Sequence, residues 1–325
     1  MLTESVRFLS IDERIADLRE RGLAIADEAE ARVQLERIGQ YRLKQYWYPF
    51  FDHTISGRKL FKPGHTFEEV VELYFMDREL RWLLNRPLET LELNLRSAIA
   101  AVLQRREKSF AVYESGFLKD HKSRSRSAIL HSAAIKHKDN YKFLETYEKQ
   151  AYPEIETLTF EAKRTFLAEQ VQYPIWLMVE AITFTDLSLL FDGIVEKEIR
   201  DEITARFPLW DEYAMRQFVK RVSVLRNSVA HHGRVWNKSL TFPSRLPYFM
   251  NDLYPLKTNL REYEATSLFD VITLFLDITP NLDGDYWWNS DMHEFANKQP
   301  AWILKEMGFP SNWRDFPHWQ PLQYD

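Results

Sequence analysis

The chain has 325 residues, 45% of them hydrophobic, which permits a sizeable core in one or two domains. Its formal net charge of −5 at pH 7 argues mildly against a protein that coats nucleic acid non-specifically. It contains no cysteine, which excludes disulfides, thiolate zinc sites and cysteine nucleophiles and is compatible with a reducing compartment. No uncharged apolar run approaches the roughly 18 residues of a membrane span, and the first residues lack a signal-peptide pattern, so we expect a cytoplasmic protein without a membrane partner.

The first 65 residues predict a small helical unit. Ser10 starts a capping-box sequence, Ser-Ile-Asp-Glu, and a second helix is expected from about Asp27. Residues 53–65 contain two glycines and a proline, a composition typical of a loop or short hairpin. We place the first domain boundary in this loop.

The stretch YRLKQYWYPFF, residues 41–51, is the most aromatic part of that unit. It is too aromatic for a solvated loop, which favours a packed connector. The alternative is a base-stacking platform, because tyrosine and tryptophan beside Arg42 and Lys44 suit single-stranded RNA.

Residues 66–240 predict a helical core. Thr66 and Glu69 form a capping pair for a long helix whose apolar residues recur at helical spacing as far as Val102, and Pro87 should kink or break it. Further helices are expected over residues 128–147, 174–191 and 196–206. Strand signals are nearly absent, so we predict an all-α fold.

A basic segment interrupts this core. Residues 96–142 hold eleven Lys or Arg and four Asp or Glu, a charge of +7, which leaves −12 for the rest of the chain. Helical periodicity is lost near residues 105–126, so we expect a mobile basic insertion there. Such asymmetry is what a local polyanion site requires, and a solvated surface segment is the alternative.

Residues 152–163 imitate a pattern of metal-dependent nucleases. Glu154 after a proline, followed by Glu161-Ala162-Lys163, has the residue types in which two acids and a lysine share a strand hairpin and bind Mg²⁺. No neighbouring strand signal supports this pattern, and a pattern this loose also arises by chance. A Mg²⁺ nuclease therefore stays only as an alternative. We expect no resident metal or cofactor.

Residues 241–325 predict a C-terminal cover of the core. Prolines punctuate its first part, residues 268–278 predict a buried helix, and NLDGDYWWNSD, residues 281–291, is typical of a turn. The last part is rich in aromatic residues, including Trp302, Trp313 and Trp319.

The candidate chemistry converges on a helix expected from about Asp211 to His232. At about 100° per residue its apolar stripe comprises Phe218, Val222, Leu225 and Val229. The opposite face comprises Arg216, Lys220, Asn227 and His231, with Ser223 beside them and Arg226 at the border. Gly233 should end the helix at C′, which leaves His231 in the last turn, where the negative end of the helix dipole favours an imidazolium.

Arg226 and His231 have the chemistry for attack on a phosphodiester. Arginine neutralises a phosphate through two parallel N–H donors, and histidine side chains, which titrate near neutrality, remove or supply protons. One arginine and one histidine on a polar helix face are more often an ordinary solvated surface. The spacing alone leaves both interpretations open.

The sequence around these residues is similar to a known family. Residues 226–231, RNSVAH, resemble the R-N-x-x-x-H pattern of HEPN-superfamily ribonucleases, and the longer RNSVAHHGRVWN resembles abortive-infection proteins of the AbiD/AbiF type. The likeness extends to IGQYRLKQYWYPF (38–50), DRELRWLL…LELNLRSAIA (77–100), YPIWLMVEAITFTDLSLLF (173–191) and MGFPSNW (307–313).

This resemblance implies a HEPN-like helical bundle and a metal-independent endoribonuclease of the phage-defence or toxin type. In the family, Arg226 and His231 correspond to the ribonuclease pair contributed by each subunit of a homodimer, and Asn227 matches the polar position beside the arginine. His232 falls at the edge of the apolar stripe, so we expect a packing or helix-end residue there, and with Arg234 it is a candidate supporting residue. A dimer also follows from the chemistry, because transesterification uses two proton-transfer groups and one helix provides one.

The expected partner is RNA. The cations expected to bind it are Arg96, Lys122, Arg124, Arg126 and Lys220. The resemblance implies that the long helix packs beside the catalytic helix. Glu92 and Arg96 would then either orient the site or form an ordinary intrahelical ion pair. An antitoxin RNA or protein is a further candidate partner. The alternative function is a non-catalytic RNA-binding HEPN module that such an antitoxin regulates.

Overall fold

The computed structural model of the protein describes residues 9–54, 59–207, 211–238, 240, 267–284 and 287–320. Within these stretches the regular structure is helical, and extended segments pair only at isolated bridges. The predicted all-α fold is therefore confirmed for the part of the chain that the structure describes.

The chain forms two compact units. Unit 1 comprises Met1–Trp82 and His232–Trp236, and unit 2 comprises Leu83–His231 and Asn237–Asp325. The three-part domain division expected from the sequence stays a prediction.

Unit 1 begins with short helices whose starts follow from local capping. They are α1 (Ile11–Glu20), α2 (Glu28–Gln34) and α3 (Gln40–Leu43), and a π-helical turn, Leu35–Gly39, joins the last two. The Glu13 N–H donates to the Ser10 hydroxyl at 3.2 Å, and the Ser10 N–H donates to the Glu13 carboxylate at 2.9 Å. Asp27 caps α2 by accepting from the Glu30 N–H at 3.0 Å. Both predicted helix starts are confirmed.

The aromatic stretch of residues 41–51 packs into the core of unit 1. Its buried aromatic members are Tyr46, Trp47, Phe50 and Phe51. Phe51 pairs with Phe61 across an antiparallel bridge, and the Arg21 guanidinium lies over both rings, 5.2 and 5.0 Å from their centroids. Burial of these rings confirms the packed connector.

Helix α4 (Phe67–Arg105) passes from unit 1 into unit 2. The predicted capping box is present, since the Thr66 N–H donates to Glu69 at 2.8 Å and the Glu69 N–H donates to the Thr66 hydroxyl at 3.2 Å. Pro87 lies inside the helix and does not break it.

A tryptophan supplies the hydrogen bond that Pro87 removes. Proline has no N–H, so the carbonyl of Leu83, four residues earlier, loses its intrahelical donor. The indole N–H of Trp288 donates to this carbonyl at 2.7 Å, and Trp288 is buried. The freed carbonyl is therefore satisfied from outside the helix, which lets α4 continue.

Unit 2 contains the remaining helices. They are α5 (Arg126–His137), α6 (Lys142–Ala151), α7 (Phe160–Glu169), α8 (Ile175–Ala181), α9 (Phe184–Gly193), α10 (Lys197–Thr204), α11 (Glu212–Ala230), α12 (Leu268–Asp283), α13 (Trp287–Lys298) and α14 (Ala301–Glu306). α11 packs along α9, α5 packs on α8 and α9, and α12 contacts α13. No helix in the described part of the chain has the length and apolarity that crossing a membrane requires.

Residues 281–291 are mostly helical, which corrects the predicted turn. Gly284 ends α12 in the left-handed conformation, with φ 72°, and α13 already starts at Trp287. Gly284 therefore ends one helix three residues before the next one begins. The proline-rich passage expected between residues 243 and 255 lies outside the described residues.

Aromatic side chains near the end of the chain pack on α12, as expected of a cover. The Trp319 ring stacks on Phe269 of α12, with centroids 5.8 Å apart, and Trp313 meets Trp319 edge to face at 5.1 Å. Trp302 is 43% exposed.

We expect Trp288→Phe to lower the free energy of unfolding by about 1–3 kcal/mol, because the Leu83 carbonyl becomes a buried acceptor without a donor. In a Pro87→Ala background the same substitution should have a smaller effect, because alanine restores the N–H that reaches Leu83. Urea unfolding of the four proteins measures both effects. Equal losses in the two backgrounds would show that Trp288 acts by packing alone.

Candidate active site

Helix α11 is amphipathic, and its start is capped by Asp211, which accepts from the Ala214 N–H at 2.9 Å. The predicted core stripe is buried: Phe218, Val222, Leu225 and Val229. Ser223, expected beside the polar face, is also buried, and its hydroxyl donates to the Lys220 carbonyl at 2.8 Å. Its place was predicted wrongly because a small hydroxyl bonded to its own helix backbone tolerates burial.

Helix α11 ends at Ala230, and His231 is its C-terminal cap. The His231 N–H donates to the Asn227 carbonyl at 3.0 Å, and His232 follows with φ 56°. The left-handed residue that ends the helix is therefore His232, one position before the predicted Gly233. Both histidine side chains are exposed, which excludes a packing role for His232.

Arg226 is held by a carboxylate from another helix. Its Nε lies 3.0 Å from Oε2 of Glu92 in α4. The other oxygen of Glu92 accepts from Nη2 of Arg96, one turn further along α4. The Glu92 and Arg96 side chains are buried, whereas that of Arg226 is 37% exposed. The intrahelical ion pair is thus present, and its carboxylate also binds the candidate catalytic arginine.

The three side chains Arg96, Glu92 and Arg226 carry two positive charges and one negative charge. A buried carboxylate loses much of its hydration free energy, so Glu92 depends on the guanidinium groups that bind both of its oxygens. Arg226 uses its Nε for this contact, and its terminal nitrogens carry further N–H donors. The geometry fixes one edge of the guanidinium on Glu92 and leaves a partly exposed side chain that suits an anion.

Asn227 connects α11 to α9. Its Nδ2 donates to the Thr185 hydroxyl at 2.9 Å. Towards the start of α11, Arg216 pairs with Asp192 of α9 at 3.0 Å. Polar contacts therefore fix α11 against α9 near both ends. A role for Asn227 beside the arginine in catalysis stays a prediction.

Within unit 1, residues 232–236 are held by Asp77 of α4. Its carboxylate accepts from the backbone N–H groups of Val235 and Trp236, at 3.1 and 2.7 Å, and from the Tyr46 hydroxyl at 2.6 Å. Burial raises the pKa of this carboxyl, although the hydrogen bonds act in the opposite direction. A buried acid thus fixes the segment that begins directly after His231.

Arg234, a predicted supporting residue, is part of the same segment of unit 1. Its Nη1 donates to the Gln45 carbonyl at 2.9 Å. Arg81, which pairs with Asp77, donates to the Gly233 carbonyl at 3.3 Å. The structure therefore gives Arg234 a backbone partner, and its supporting role stays a prediction.

The cations expected to bind RNA differ in exposure. Lys122 and Arg124 are exposed, and Lys220 is partly exposed. Arg96 and Arg126 are 7% and 4% exposed, so neither presents its charge on the expected surface. Burial of these two side chains corrects the sequence prediction, since the sequence does not show which cations of a basic segment have carboxylate partners.

Arg126 acts inside the fold. Its Nη1 donates to the Leu189 carbonyl at 2.7 Å, and its Nη2 pairs with Asp192 at 2.9 Å. Burial opposes ionisation of Asp192, but the hydrogen bond from Arg126 and the charges of Lys119, Arg126 and Arg216 outweigh it and lower the pKa of this carboxyl. Arg126 therefore stabilises α9 and does not form part of an exposed patch.

Part of the basic insertion, residues 105–126, is paired with acids around α10. Arg106 lies 2.6 Å from Glu202, which Arg105 also contacts, and Lys108 contacts Glu196. These pairs neutralise some of the positive charge that the sequence showed as one block. What remains exposed is a smaller set of cations that includes Lys122 and Arg124.

The metal-nuclease pattern is not formed. Glu154 lies in a 3₁₀ turn, Pro153–Thr157, and Glu161 in the first turn of α7, so the strand hairpin that the pattern requires is absent at these residues. Both side chains are exposed. Among the described residues, no group of three or more His, Asp or Glu side chains is arranged to hold a metal ion.

Sequence reasoning missed Thr185 and Asp192, which bind residues of the predicted polar face and basic segment, and Asp77, which holds the segment after His231. Each belongs to a helix far along the chain from the group it binds, so local spacing does not connect them. Of the three, only Asp77 could have been found from the sequence. It lies on the apolar stripe of α4 with Leu73, Leu80 and Leu84, and an acid at such a position is expected to be buried.

Comparison with known proteins supports the resemblance. Residues 33–237, more than half of the chain, match the family model described as Abi-like protein. The matched range includes Glu92, Arg226 and His231. No curated protein and no solved structure gives a significant match.

We expect Glu92→Gln to lower the free energy of unfolding by about 3 kcal/mol, because it leaves the Arg96 guanidinium buried without a counter-charge. Combining it with Arg96→Gln should recover part of this loss, and urea unfolding measures both. As a control, Asp201→Asn breaks the exposed pair with Lys197 (2.7 Å) and should have no measurable effect. A double variant no more stable than Glu92→Gln would contradict the electrostatic explanation.

Proposed function

Because the chain belongs to the Abi-like protein family, we propose that it acts in abortive infection, a form of phage defence, as a metal-independent endoribonuclease of the HEPN type. The observation that carries the proposal is the end of α11. There Arg226 is fixed on a buried carboxylate, and His231 stands exposed at the helix cap. One side chain suits a phosphate, and the other transfers protons.

The proposed reaction is a transesterification within RNA. His231 of one subunit removes the proton from a 2′-hydroxyl, whose oxygen attacks the adjacent phosphorus. As that bond forms, the bond to the 5′-oxygen breaks, and the second histidine protonates the leaving oxygen. The attacking group belongs to the RNA, so no metal-bound water takes part.

A homodimer is part of this proposal. The two proton transfers require two groups, and each α11 supplies one histidine at its cap. A second copy related by a twofold axis supplies the other in the same chemical surroundings.

Arg226 supplies the electrostatic stabilisation. Its terminal N–H donors bind the non-bridging phosphate oxygens, where negative charge builds up in the transition state. Glu92 holds the guanidinium at its Nε edge, which reduces the reorganisation needed when the phosphate binds. Lysine is a poor substitute, because it lacks the fork geometry.

The remaining predicted residues have supporting roles. Asn227, His232 and Arg234 would help to order the end of the helix and the segment after it. Lys122, Arg124 and Lys220 would contact the RNA backbone. An antitoxin RNA or protein that keeps the protein inactive would belong to the same system. Salt-dependent RNA binding without cleavage would instead favour the alternative, a non-catalytic RNA-binding module.

We expect the products of cleavage to carry 2′,3′-cyclic phosphate and 5′-hydroxyl ends. Cleavage should persist in EDTA and fail on DNA and on RNA with a 2′-O-methyl group at the cut, because the 2′-hydroxyl is the nucleophile. Sequencing and end-labelling of products from the purified protein test this. Ends with 5′-phosphate and 3′-hydroxyl, or a requirement for Mg²⁺, would exclude the mechanism.

We expect His231→Ala to reduce cleavage about 10²–10⁴-fold, the range for loss of a general acid or base, and Arg226→Lys to reduce it at least about 100-fold. Far-UV circular dichroism and dimer mass should not change in His231→Ala, because the side chain is exposed. His137→Ala, a histidine in the last turn of α5, is the matched control and should cleave like the wild type. Loss of helix signal in His231→Ala would instead indicate a structural residue.

A further inference from the structure

A tight turn at residues 121–124 carries part of the exposed positive charge of unit 2. The His121 N–H donates to the Arg124 carbonyl at 2.9 Å, and the Arg124 N–H donates to the His121 carbonyl at 3.0 Å. The two central residues, Lys122 and Ser123, have φ values of 48° and 63°. Both are left-handed, as in a type I′ turn.

The residue types of this turn are unfavourable for its backbone. Type I′ turns strongly prefer asparagine and glycine, because other side chains crowd the backbone when φ is positive. Lys122 and Ser123 therefore hold a strained conformation, and such strain is concentrated at functional sites. The turn projects the side chains of Lys122 and Arg124, both exposed, from a fixed backbone.

The charged side chains close to the turn are also mostly positive. Asp192 and Glu212 are shared among Lys119, Arg126, Arg200 and Arg216, so cations outnumber the acids that pair with them. Burial lowers the pKa of Lys119, and the charges of Arg216, Arg126 and Arg200 lower it further, while Asp192 acts in the opposite direction. The side chains near the turn therefore carry a net positive charge, and a bound anion would reduce their mutual repulsion.

The turn lies close to the polar face of α11. Lys119 and Arg126, which flank the turn, share Asp192 with Arg216 of α11. Burial and the charges of Arg126 and Lys122 lower the pKa of His121, and the charge of Lys220 on α11 lowers it further, while Asp192 acts in the opposite direction. Lys220 and His231 are eleven residues apart. That spacing is about 16 Å along the helix, and the two positions differ by about 20° around it. The turn and the candidate catalytic histidine thus belong to the same side of α11.

From this arrangement we propose that the turn of residues 121–124 is a second phosphate-binding site, which holds the backbone of single-stranded RNA at a distance from the cut. The proposal rests on the proposed ribonuclease function. A stacked strand rises about 3.4 Å per nucleotide, so 16 Å corresponds to about five nucleotides. The substrate is therefore RNA that extends several nucleotides beyond the cleaved phosphate, and an RNA that ends two nucleotides from it is too short to reach the turn.

Two glycine substitutions separate the charge from the backbone. Lys122→Gly and Ser123→Gly each relieve a left-handed residue, so both should raise the thermal unfolding temperature. Only Lys122→Gly removes a phosphate contact. We expect it to weaken binding of a 2′-O-methyl 20-nucleotide RNA about 3–10-fold and to reduce the salt dependence, log Kd against log salt, by about 0.7. Ser123→Gly should bind this RNA like the wild type.

RNA length gives the second arm of the experiment. With a cleavable 20-nucleotide RNA, Lys122→Gly should raise KM about 3–10-fold and leave kcat unchanged, because the turn is remote from the cut. With an RNA that ends two nucleotides from the cut on both sides, the wild type and Lys122→Gly should give equal KM values.

The outcomes are distinguishable from failure of the proposed function. Unchanged affinity for the 20-nucleotide RNA in Lys122→Gly, or an equal loss in Ser123→Gly, would overturn the inference even if the protein cleaves RNA. A KM effect that persists with the short RNA would also overturn it. Wild-type protein that binds the long RNA through Lys122 but does not cleave it would support the binding site and refute the ribonuclease.

Discussion

The candidate site depends on one buried carboxylate, Glu92. A carboxylate at this depth is stable only with counter-charges, and the protein provides two, from Arg96 on the same helix and from Arg226 on α11. The first pair is local and forms whenever α4 forms. The second joins two helices far apart in sequence, so Arg226 takes its position only when α4 and α11 have packed. Folding therefore also positions this candidate phosphate-binding group.

The second constraint is the packing of α11 on α9. Asn227 bonds to Thr185 near one end, and Arg216 bonds to Asp192 near the other, so α11 can neither slide nor rotate without breaking a polar contact. His231 follows directly after this fixed helix, at its cap. A histidine there has a defined position without being buried, which a proton-transfer group that must meet solvent and substrate requires.

Much of the fold follows from local rules in the sequence, and its exceptions are non-local. Capping at Ser10 and Thr66 and the apolar stripe of α11 were predicted, since each depends on residues within a few turns. The continuity of α4 through Pro87 was not, because it depends on Trp288, some two hundred residues later. For the site, resemblance identified Arg226 and His231, but no spacing in the sequence could connect the arginine to Glu92.

The basic segment shows why charge counted along a sequence is a poor guide to binding. Arg124 and Arg126 are two residues apart, yet one is exposed and the other is buried against Asp192. Arg124 closes the turn of residues 121–124, whereas Arg126 is the first residue of α5. The buried arginine is neutralised, but it also holds α5 on α9 and so supports the exposed one. In this protein the scaffold and the candidate RNA surface are built from neighbouring residues of the same charge, and the place of each residue, in the turn or in the helix, decides which role it has.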